Sequence, residues 1–125
     1  MSELSLYERI SEATLVAAIT RFYELAFIDP LIGHFFFGRD RGHLTRQQID
    51  FARSLLGGPT RYQGKPLLHA HRPLPIRPPH FARRQVLMAE VLDELGVDPD
   101  IKREWLAREE SLRPLIMSSS AHCRN

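Results

Sequence analysis

Apolar residues follow a helical period most clearly in the stretch after Ser11. They recur at Leu15, Ile19, Phe22 and Ala26, with Val16, Tyr23 and Phe27 on the adjoining stripe. Ser11 can cap such a helix, because a serine hydroxyl accepts a hydrogen bond from a free backbone N–H of the first turn. Asp29 and Pro30 interrupt the pattern, since proline cannot continue the helical hydrogen-bond ladder. We therefore predict a long helix over residues 12–27.

A second amphipathic stretch follows the three consecutive phenylalanines at residues 35–37. We expect its helix to begin near Leu44 or Thr45 and to end at the Gly57-Gly58-Pro59 break. One face of this helix carries Leu44, Gln48, Phe51 and Leu55. The amide of Gln48 either reaches water at the edge of the stripe or meets a polar group inside, where an unpaired amide costs about 1 to 3 kcal/mol.

Two more helices are predicted in the C-terminal part of the chain. Pro78 and Pro79 open the first, over roughly residues 80–95, and Gly96 ends it. Its apolar positions are Phe81, Met88, Val91, Leu92 and Leu95. Asp98 caps the second helix, and Pro99 takes its first position. The apolar positions of that helix are Ile101, Trp105, Leu112 and Leu115, and we expect Pro114 to kink its end.

The segment between Pro59 and Pro79 lacks a long amphipathic period and is rich in proline, histidine and arginine. Such a composition is typical of a loop, in which we expect one short helical turn over residues 67–71. No run of alternating β-branched residues indicates a strand. The whole pattern therefore predicts an all-α fold.

Chain length and composition favour a single globular domain. The chain has 125 residues, of which 43% are apolar and 26% are charged. We place the domain in residues 1–117 and expect residues 118–125, a polar segment with the lone Cys123, to form a disordered tail. The 17 Lys and Arg are interspersed among 15 Asp and Glu, which gives little support to nucleic-acid binding.

The sequence also indicates where the protein resides. No apolar run approaches the roughly 20 residues that cross a bilayer, and the chain does not open with a secretion signal. We expect a cytoplasmic protein with no membrane contact, either a monomer or a weak homo-oligomer.

Histidine and tyrosine are the side chains most suited to a chemical role. Six histidines is a high count for this length, and His69 and His71 form an H-x-H pair among prolines. Neutral imidazole is a good ligand for iron, zinc or copper, although histidines in loops are more often solvated. Tyr23 lies beside a core stripe, where a tyrosine more often bonds its hydroxyl to backbone. Walker, HExxH and GxSxG enzyme motifs do not occur in the sequence.

Several short motifs occur in order along the chain. They are Phe22-Tyr23, Gly33-His34-Phe35-Phe36, Leu56-Gly57-Gly58-Pro59, Tyr62-x-Gly64, His71 and His80-Phe81. With them, the chain from Leu6 to about Pro114 resembles the truncated haemoglobins. The intervals from Tyr23 to Gln48 and from Gln48 to His71 are similar to those of the first truncated group.

The resemblance implies a short globin fold, in which two antiparallel helix pairs pack two over two around haem b. It implies that His71 is the proximal iron ligand and that Tyr23 and Gln48 form the distal polar pair. Leu44 then stands where the family usually has its distal histidine. The implied haem pocket consists of Phe35, Phe36, Leu44, Leu55, Phe81 and Met88.

The implied function is reversible binding of oxygen, carbon monoxide and nitric oxide, for oxygen transport, sensing or removal of nitric oxide. Polar donors in a dry pocket stabilise the negative charge that oxygen acquires on ferrous iron. The resemblance implies no separate catalytic residue. Nitric oxide dioxygenase activity would depend on an external reductase, since nothing in the sequence resembles a flavin or nicotinamide domain.

Two features depart from the family pattern. Ile10, Ser11 and Glu12 replace the glycine pair that usually joins the first two helices, and Arg83-Arg84-Gln85 stands near a position where other truncated groups carry tryptophan. A guanidinium that faces haem needs an acidic partner, so we expect Arg84 to extend into solvent or to pair with a haem propionate.

Two other functions stay open at this stage. The departures favour a haem-free helical interaction domain derived from a globin. The H-x-H pair favours a non-haem metal protein that uses His69, His71 and a third histidine.

Overall fold

The computed structural model describes residues 4–59 and 76–114, and all regular structure in these two segments is helical. The elements are α1 (Leu6–Ile10), α2 (Glu12–Ala26), a 3₁₀ helix (Gly33–Phe36), α3 (Arg41–Leu55), α4 (Pro78–Glu94) and α5 (Pro99–Glu110). The predicted all-α fold is confirmed for this part of the chain. The helical turn expected over residues 67–71 and the tail expected over 118–125 lie outside the described residues.

Helix α2 lies at the centre of the fold, where it packs against α1, α3 and α4. Its predicted apolar face is confirmed, because Leu15, Ile19, Phe22 and Ala26 are all buried. The Ser11 hydroxyl accepts a hydrogen bond from the backbone N–H of Thr14, as expected of a cap. Tertiary burial of this face stabilises the helix more than its intrinsic propensity does.

Helix α3 begins at Arg41, so the start predicted near Leu44 or Thr45 is wrong. The cap is Asp40, whose carboxylate accepts a hydrogen bond from the His43 backbone N–H at 3.0 Å. The first turn of α3 is polar, and apolar spacing therefore could not reveal it. The predicted end is confirmed: beyond Leu55, Gly57 takes a φ of 85°, which glycine adopts without strain.

The C-terminal helices follow the prediction except at their ends. Asp98 caps α5 and Pro99 opens it, as predicted. Leu95, a predicted member of the apolar face of α4, is 38% exposed at the helix end, and Leu87 is buried instead. Helix α5 ends at Glu110, residues 111 and 112 form a turn, and residues 113 and 114 are helical again. The helix is thus interrupted just before Pro114, and the kink expected at Pro114 itself stays a prediction. Leu115 lies outside the described residues.

A single residue, Ser11, links α1 to α2, with a φ of 76° and a ψ of 150°. It is the one non-glycine residue with positive φ in the described part of the chain. A side chain in this region of backbone space costs about 1 to 3 kcal/mol. Ser11 thus adopts a glycine conformation at the link where the resemblance leads us to expect glycine.

Ser11→Gly should raise the free energy of unfolding by about 1 kcal/mol, because relief of strain exceeds the lost cap and the added freedom of the unfolded chain. Ser11→Ala keeps the strain and loses the cap, and should lower the same free energy by about 1 kcal/mol. Urea unfolding of both variants measures the difference. If both substitutions lowered the free energy of unfolding equally, the backbone at Ser11 would not be strained.

A polar cluster joins α1, α2 and α3. The Glu12 carboxylate accepts hydrogen bonds from Arg53 Nε at 3.0 Å and from the Tyr7 hydroxyl at 2.7 Å. Arg53 also contacts Asp50 at 2.8 Å. The hydrogen bonds from Arg53 and Tyr7 lower the pKa of Glu12 to about 2.

Because the pKa of Glu12 is lower in the folded than in the unfolded chain, its stabilising contribution is complete above about pH 5 and is lost as the pH falls towards about 2. The stability gap between wild type and Glu12→Gln should therefore be widest near neutral pH and should close near pH 2. Urea unfolding across this range measures the gap. A gap that does not change with pH would contradict the role of the cluster.

Candidate functional site

Helices α2, α3, α4 and α5 border one cleft. Its lining residues are Ile19, Tyr23, Gln48, Phe51, Ala52, Leu55, Phe81, Arg84, Glu109 and, just beyond α5, Leu112. Apolar side chains form most of the wall, and four polar side chains lie among them. This composition is typical of a site for a small molecule or cofactor.

Tyr23 is held in place on the cleft wall by aromatic neighbours. Its ring makes edge-to-face contacts with Phe22 and Phe36, at centroid distances of 5.1 and 5.8 Å. Phe36 in turn stacks on Phe27 at 4.9 Å. Only 7% of Tyr23 is exposed. Because such contacts fix the plane of an aromatic ring, Tyr23 presents a polar group at a defined place.

Gln48 reaches the same cleft from α3. It lies on the helix face that also carries Phe51, Ala52 and Leu55, since residues three, four and seven positions apart share a face. The residue is half-buried. The amide that interrupts the apolar stripe therefore lies on the cleft wall together with Tyr23.

Arg84 and Glu109 bring a charged pair to the cleft. The Arg84 Nη1 and Nη2 atoms lie 2.8 and 2.9 Å from the two carboxylate oxygens of Glu109, whose side chain is 6% exposed. The guanidinium carbon lies 4.9 Å from the ring centroid of Phe22. Burial acts to lower the pKa of Arg84, but the Glu109 carboxylate outweighs burial and raises that pKa. Arg84 therefore keeps its positive charge in the cleft.

These contacts decide one of the two alternatives predicted for Arg84, which were extension into solvent and pairing with a haem propionate. Its acidic partner in the structure is Glu109, and the side chain is only 27% exposed, so the expected extension into solvent is wrong. A contact between Arg84 and a haem propionate stays a prediction. The neighbouring Arg83 and Gln85 are also engaged, with Asp29 and with the backbone carbonyl of Leu106.

Four of the residues predicted for the haem pocket lie on helices α3 and α4, and the structure places them in two different environments. Leu55 and Phe81 line the cleft. Leu44 is half-buried against the core, and Met88 is fully buried within it. A haem contact for any of the four stays a prediction.

The other two predicted pocket residues, Phe35 and Phe36, belong to the 3₁₀ helix. Phe36 supports the ring of Tyr23, whereas Phe35 packs edge-on to His80 with ring centroids 4.9 Å apart. Both are half-buried. Their contact with haem also stays a prediction.

The predicted iron ligand His71 and its neighbour His69 lie outside the described residues. Within residues 4–59 and 76–114, no group of three or more His, Cys, Asp or Glu side chains is arranged to hold a metal ion. Nor does any helix in these segments have the length and apolar character needed to span a membrane. The cleft is a candidate site whose lining residues all belong to the described part of the chain.

Sequence reasoning missed Glu109. Trp105 lies four residues before it and Leu112 three residues after it, so Glu109 interrupts an apolar helix face as Arg84 does on α4. Opposite charges on the apolar faces of successive helices were the available signal. Apolar spacing placed Ile19, Phe51 and Leu112 on helix faces without assigning them to a site.

The sequence matches the bacterial-like globin family over residues 5–117. It is 37% identical over 101 residues to a group 1 truncated haemoglobin of Tetrahymena pyriformis, an overlap of 80% of this chain and 84% of the relative. A crystal structure of truncated haemoglobin from that organism, in its Fe(III) form, has a TM-score of 0.87 at 34% identity and covers 91% of this chain and 98% of its own. Further structures of it carry a tyrosine-to-phenylalanine or a glutamine-to-glutamate change.

A truncated oxygen-avid haemoglobin from Bacillus subtilis has a TM-score of 0.76 at 28% identity, with 93% of this chain and 96% of that chain covered. These structural overlaps confirm the predicted two-over-two globin fold. The family match spans every helix of the described segments and all the lining residues of the cleft. The chain therefore belongs to the bacterial-like globin family, and its predicted kinship with the truncated haemoglobins is confirmed.

Proposed function

We propose that this protein binds haem b and, through the haem iron, reversibly binds oxygen, carbon monoxide and nitric oxide. The observation that carries the proposal is the placement of Tyr23, from α2, and Gln48, from α3, on one mostly apolar cleft of a globin chain. The relatives support it, since they are named haemoglobins and the Bacillus subtilis protein is described as oxygen-avid.

The residues of the cleft fit a porphyrin. Its apolar lining residues are Ile19, Phe51, Ala52, Leu55, Phe81 and Leu112. Such a wall would bury a flat apolar ring and would restrict water. The polar lining residues lie on different helices around the same space, where they could form hydrogen bonds with a small ligand held beside the porphyrin.

Bound haem would supply an iron atom with a coordination position for a gas molecule. Tyr23 would donate its O–H, and Gln48 its amide N–H, to negative charge on the gas. Because the rings of Phe22 and Phe36 already orient Tyr23, little reorganisation would accompany this hydrogen bond. His71 would hold the iron through an imidazole nitrogen, an assignment that rests on the resemblance.

The Tetrahymena pyriformis haemoglobin supports the choice of Tyr23 and Gln48 as ligand-binding residues of this chain. Its variant structures change a tyrosine and glutamines, the residue types that Tyr23 and Gln48 contribute here. We therefore assign Tyr23 and Gln48, rather than Leu44, as the hydrogen-bonding groups of the cleft.

The same cleft would serve oxygen transport, oxygen sensing or nitric oxide removal, and we propose gas binding as the activity common to all three. Nitric oxide dioxygenation would also need a separate reductase, because the reaction consumes electrons at the iron. A cytoplasmic location stays a prediction.

Titration of the purified protein with hemin tests the proposal. We expect a Soret band that saturates at one haem per chain and that shifts on dithionite reduction and again on addition of carbon monoxide. A haem-free interaction domain would develop no saturable Soret band. A non-haem metal protein would contain stoichiometric zinc or iron without porphyrin, and either result would overturn the proposal.

A further inference from the structure

The charged pair in the cleft has two matched carboxylate hydrogen bonds. Arg84 Nη1 and Nη2 each donate to a different oxygen of Glu109, at 2.8 and 2.9 Å. Arg84 and Glu109 lie on the wall that also carries Tyr23 and Gln48. The cleft thus holds one positive and one negative charge whose sum is zero, next to the groups assigned to ligand binding.

The position of the guanidinium does not depend on Glu109 alone. Arg84 Nη1 also donates to the side-chain oxygen of Gln85 at 2.7 Å, and the guanidinium carbon lies 4.9 Å from the ring centroid of Phe22. A contact of this kind between a cation and an aromatic face is attractive. The arginine would therefore stay near the cleft if Glu109 lost its charge.

A lone cation in this place would act on charged ligands. Interactions between charges are strong in a partly buried site, because the effective dielectric constant there is far below that of water. An uncompensated Arg84 would attract anions into the cleft and would leave carbon monoxide, which carries no net charge, almost unaffected. Glu109, with its side chain 6% exposed, is placed to cancel this attraction.

We propose that Glu109 neutralises Arg84 within the cleft and thereby makes the site select neutral diatomic ligands over small anions. The inference rests on the proposed function, since the ligands bind at haem iron. Glu109 acts through Arg84 and is a positioning and neutralising residue. The ligand class that it excludes is the small anion, for which azide is the probe.

The test compares azide binding to the ferric, hemin-reconstituted protein in wild type and Glu109→Gln at one ionic strength. We expect the variant to bind azide about 5- to 30-fold more tightly, the range that Coulomb's law gives for unit charges roughly 8 to 15 Å apart at an effective dielectric constant of about 20. Carbon monoxide affinity of the ferrous protein should change by less than about twofold, because the ligand is neutral.

Two further variants control for unrelated effects. Arg84→Met combined with Glu109→Gln restores the zero net charge of the cleft and should return azide affinity to within about twofold of wild type. Asp93→Asn removes a carboxylate from the same pair of helices outside the cleft, where Asp93 pairs with Lys102 at 2.8 Å. This variant should bind azide as wild type does.

Haem-free protein provides a readout that does not depend on ligand binding. In urea unfolding, the free-energy losses of Arg84→Met and Glu109→Gln should sum to more than the loss in the double variant, since the residues form one pair. Additive losses would show that the pair is not formed in solution and would overturn the inference.

The possible failures are distinguishable. A wild type that takes up no hemin refutes the proposed function itself. A wild type that takes up hemin, with unchanged azide affinity in Glu109→Gln, refutes only the inference. Unchanged azide affinity together with faster hemin loss from the double variant would show that Arg84 binds a haem propionate instead.

Discussion

Replacing Tyr23 by Phe is expected to speed oxygen dissociation by about 10- to 100-fold. A hydrogen bond to a charged acceptor contributes about 1.5 to 3 kcal/mol, and each 1.4 kcal/mol corresponds to a factor of ten. The substitution removes only the hydroxyl, because Phe22 and Phe36 would hold a phenylalanine ring as they hold the tyrosine. Stopped-flow displacement of oxygen by carbon monoxide measures the rate.

Tyr7→Phe is the matched control. Tyr7 bonds Glu12 at the junction of α1 and α2 and is not part of the cleft lining, so its loss should leave the oxygen dissociation rate unchanged. An unchanged rate in Tyr23→Phe would remove Tyr23 from the ligand-binding site. Similar acceleration in both variants would indicate a general loosening of the fold.

Asp29→Ala is expected to lower the free energy of unfolding by about 3 kcal/mol. The Asp29 side chain is 2% exposed and accepts a hydrogen bond from Arg83 Nε at 2.9 Å. Its other oxygen accepts from the backbone N–H groups of Leu31 and Ile32, at 3.0 and 3.2 Å. In the alanine variant these three donors would lack a hydrogen-bond acceptor. Water could hydrogen-bond to Arg83, whose side chain is 33% exposed, and would offset part of the lost stability. Urea unfolding measures the change.

An exposed pair on α4 and α5 serves as the comparison. Asp93 is 64% exposed and pairs with Lys102, so Asp93→Ala should change stability by about 0 to 1 kcal/mol. Equal losses in the two variants would contradict the buried role of Asp29. The hydrogen bond from Arg83 lowers the pKa of Asp29. The difference in the free energy of unfolding between wild type and Asp29→Ala should therefore have its full size above about pH 5 and should become smaller at lower pH.

The apolar period of the sequence predicted helices best where burial decides the structure. Leu15, Ile19, Phe22 and Ala26 all face the core, and the predicted helix differs from α2 by one residue at its end. The period failed at the start of α3, because polar contacts between Asp40 and the first turn determine that boundary. The period also predicted burial of Leu95, which is exposed because it lies at the end of α4, where a side chain need not pack against the core.

The site was predictable in part. The pairing of Tyr23 with Gln48 came from the resemblance, and the structure places both on one cleft. Periodicity alone could not bring them together, because they lie on different helices. Arg84 and Glu109 likewise lie on different helices, 25 residues apart in the sequence. Each charge interrupts an apolar helix face, but the sequence pattern does not show that the two side chains meet. The assignment of His71 still rests on the resemblance.

That assignment is the central claim, and visible absorption spectra of wild type, His71→Ala and His69→Ala test it most directly. Each protein is reconstituted with hemin and measured in the ferric, dithionite-reduced and carbon monoxide-bound states. We expect wild type and His69→Ala to share a histidine-ligated ferrous and carbonyl spectrum that His71→Ala loses. A His71→Ala spectrum identical to that of wild type would contradict the account.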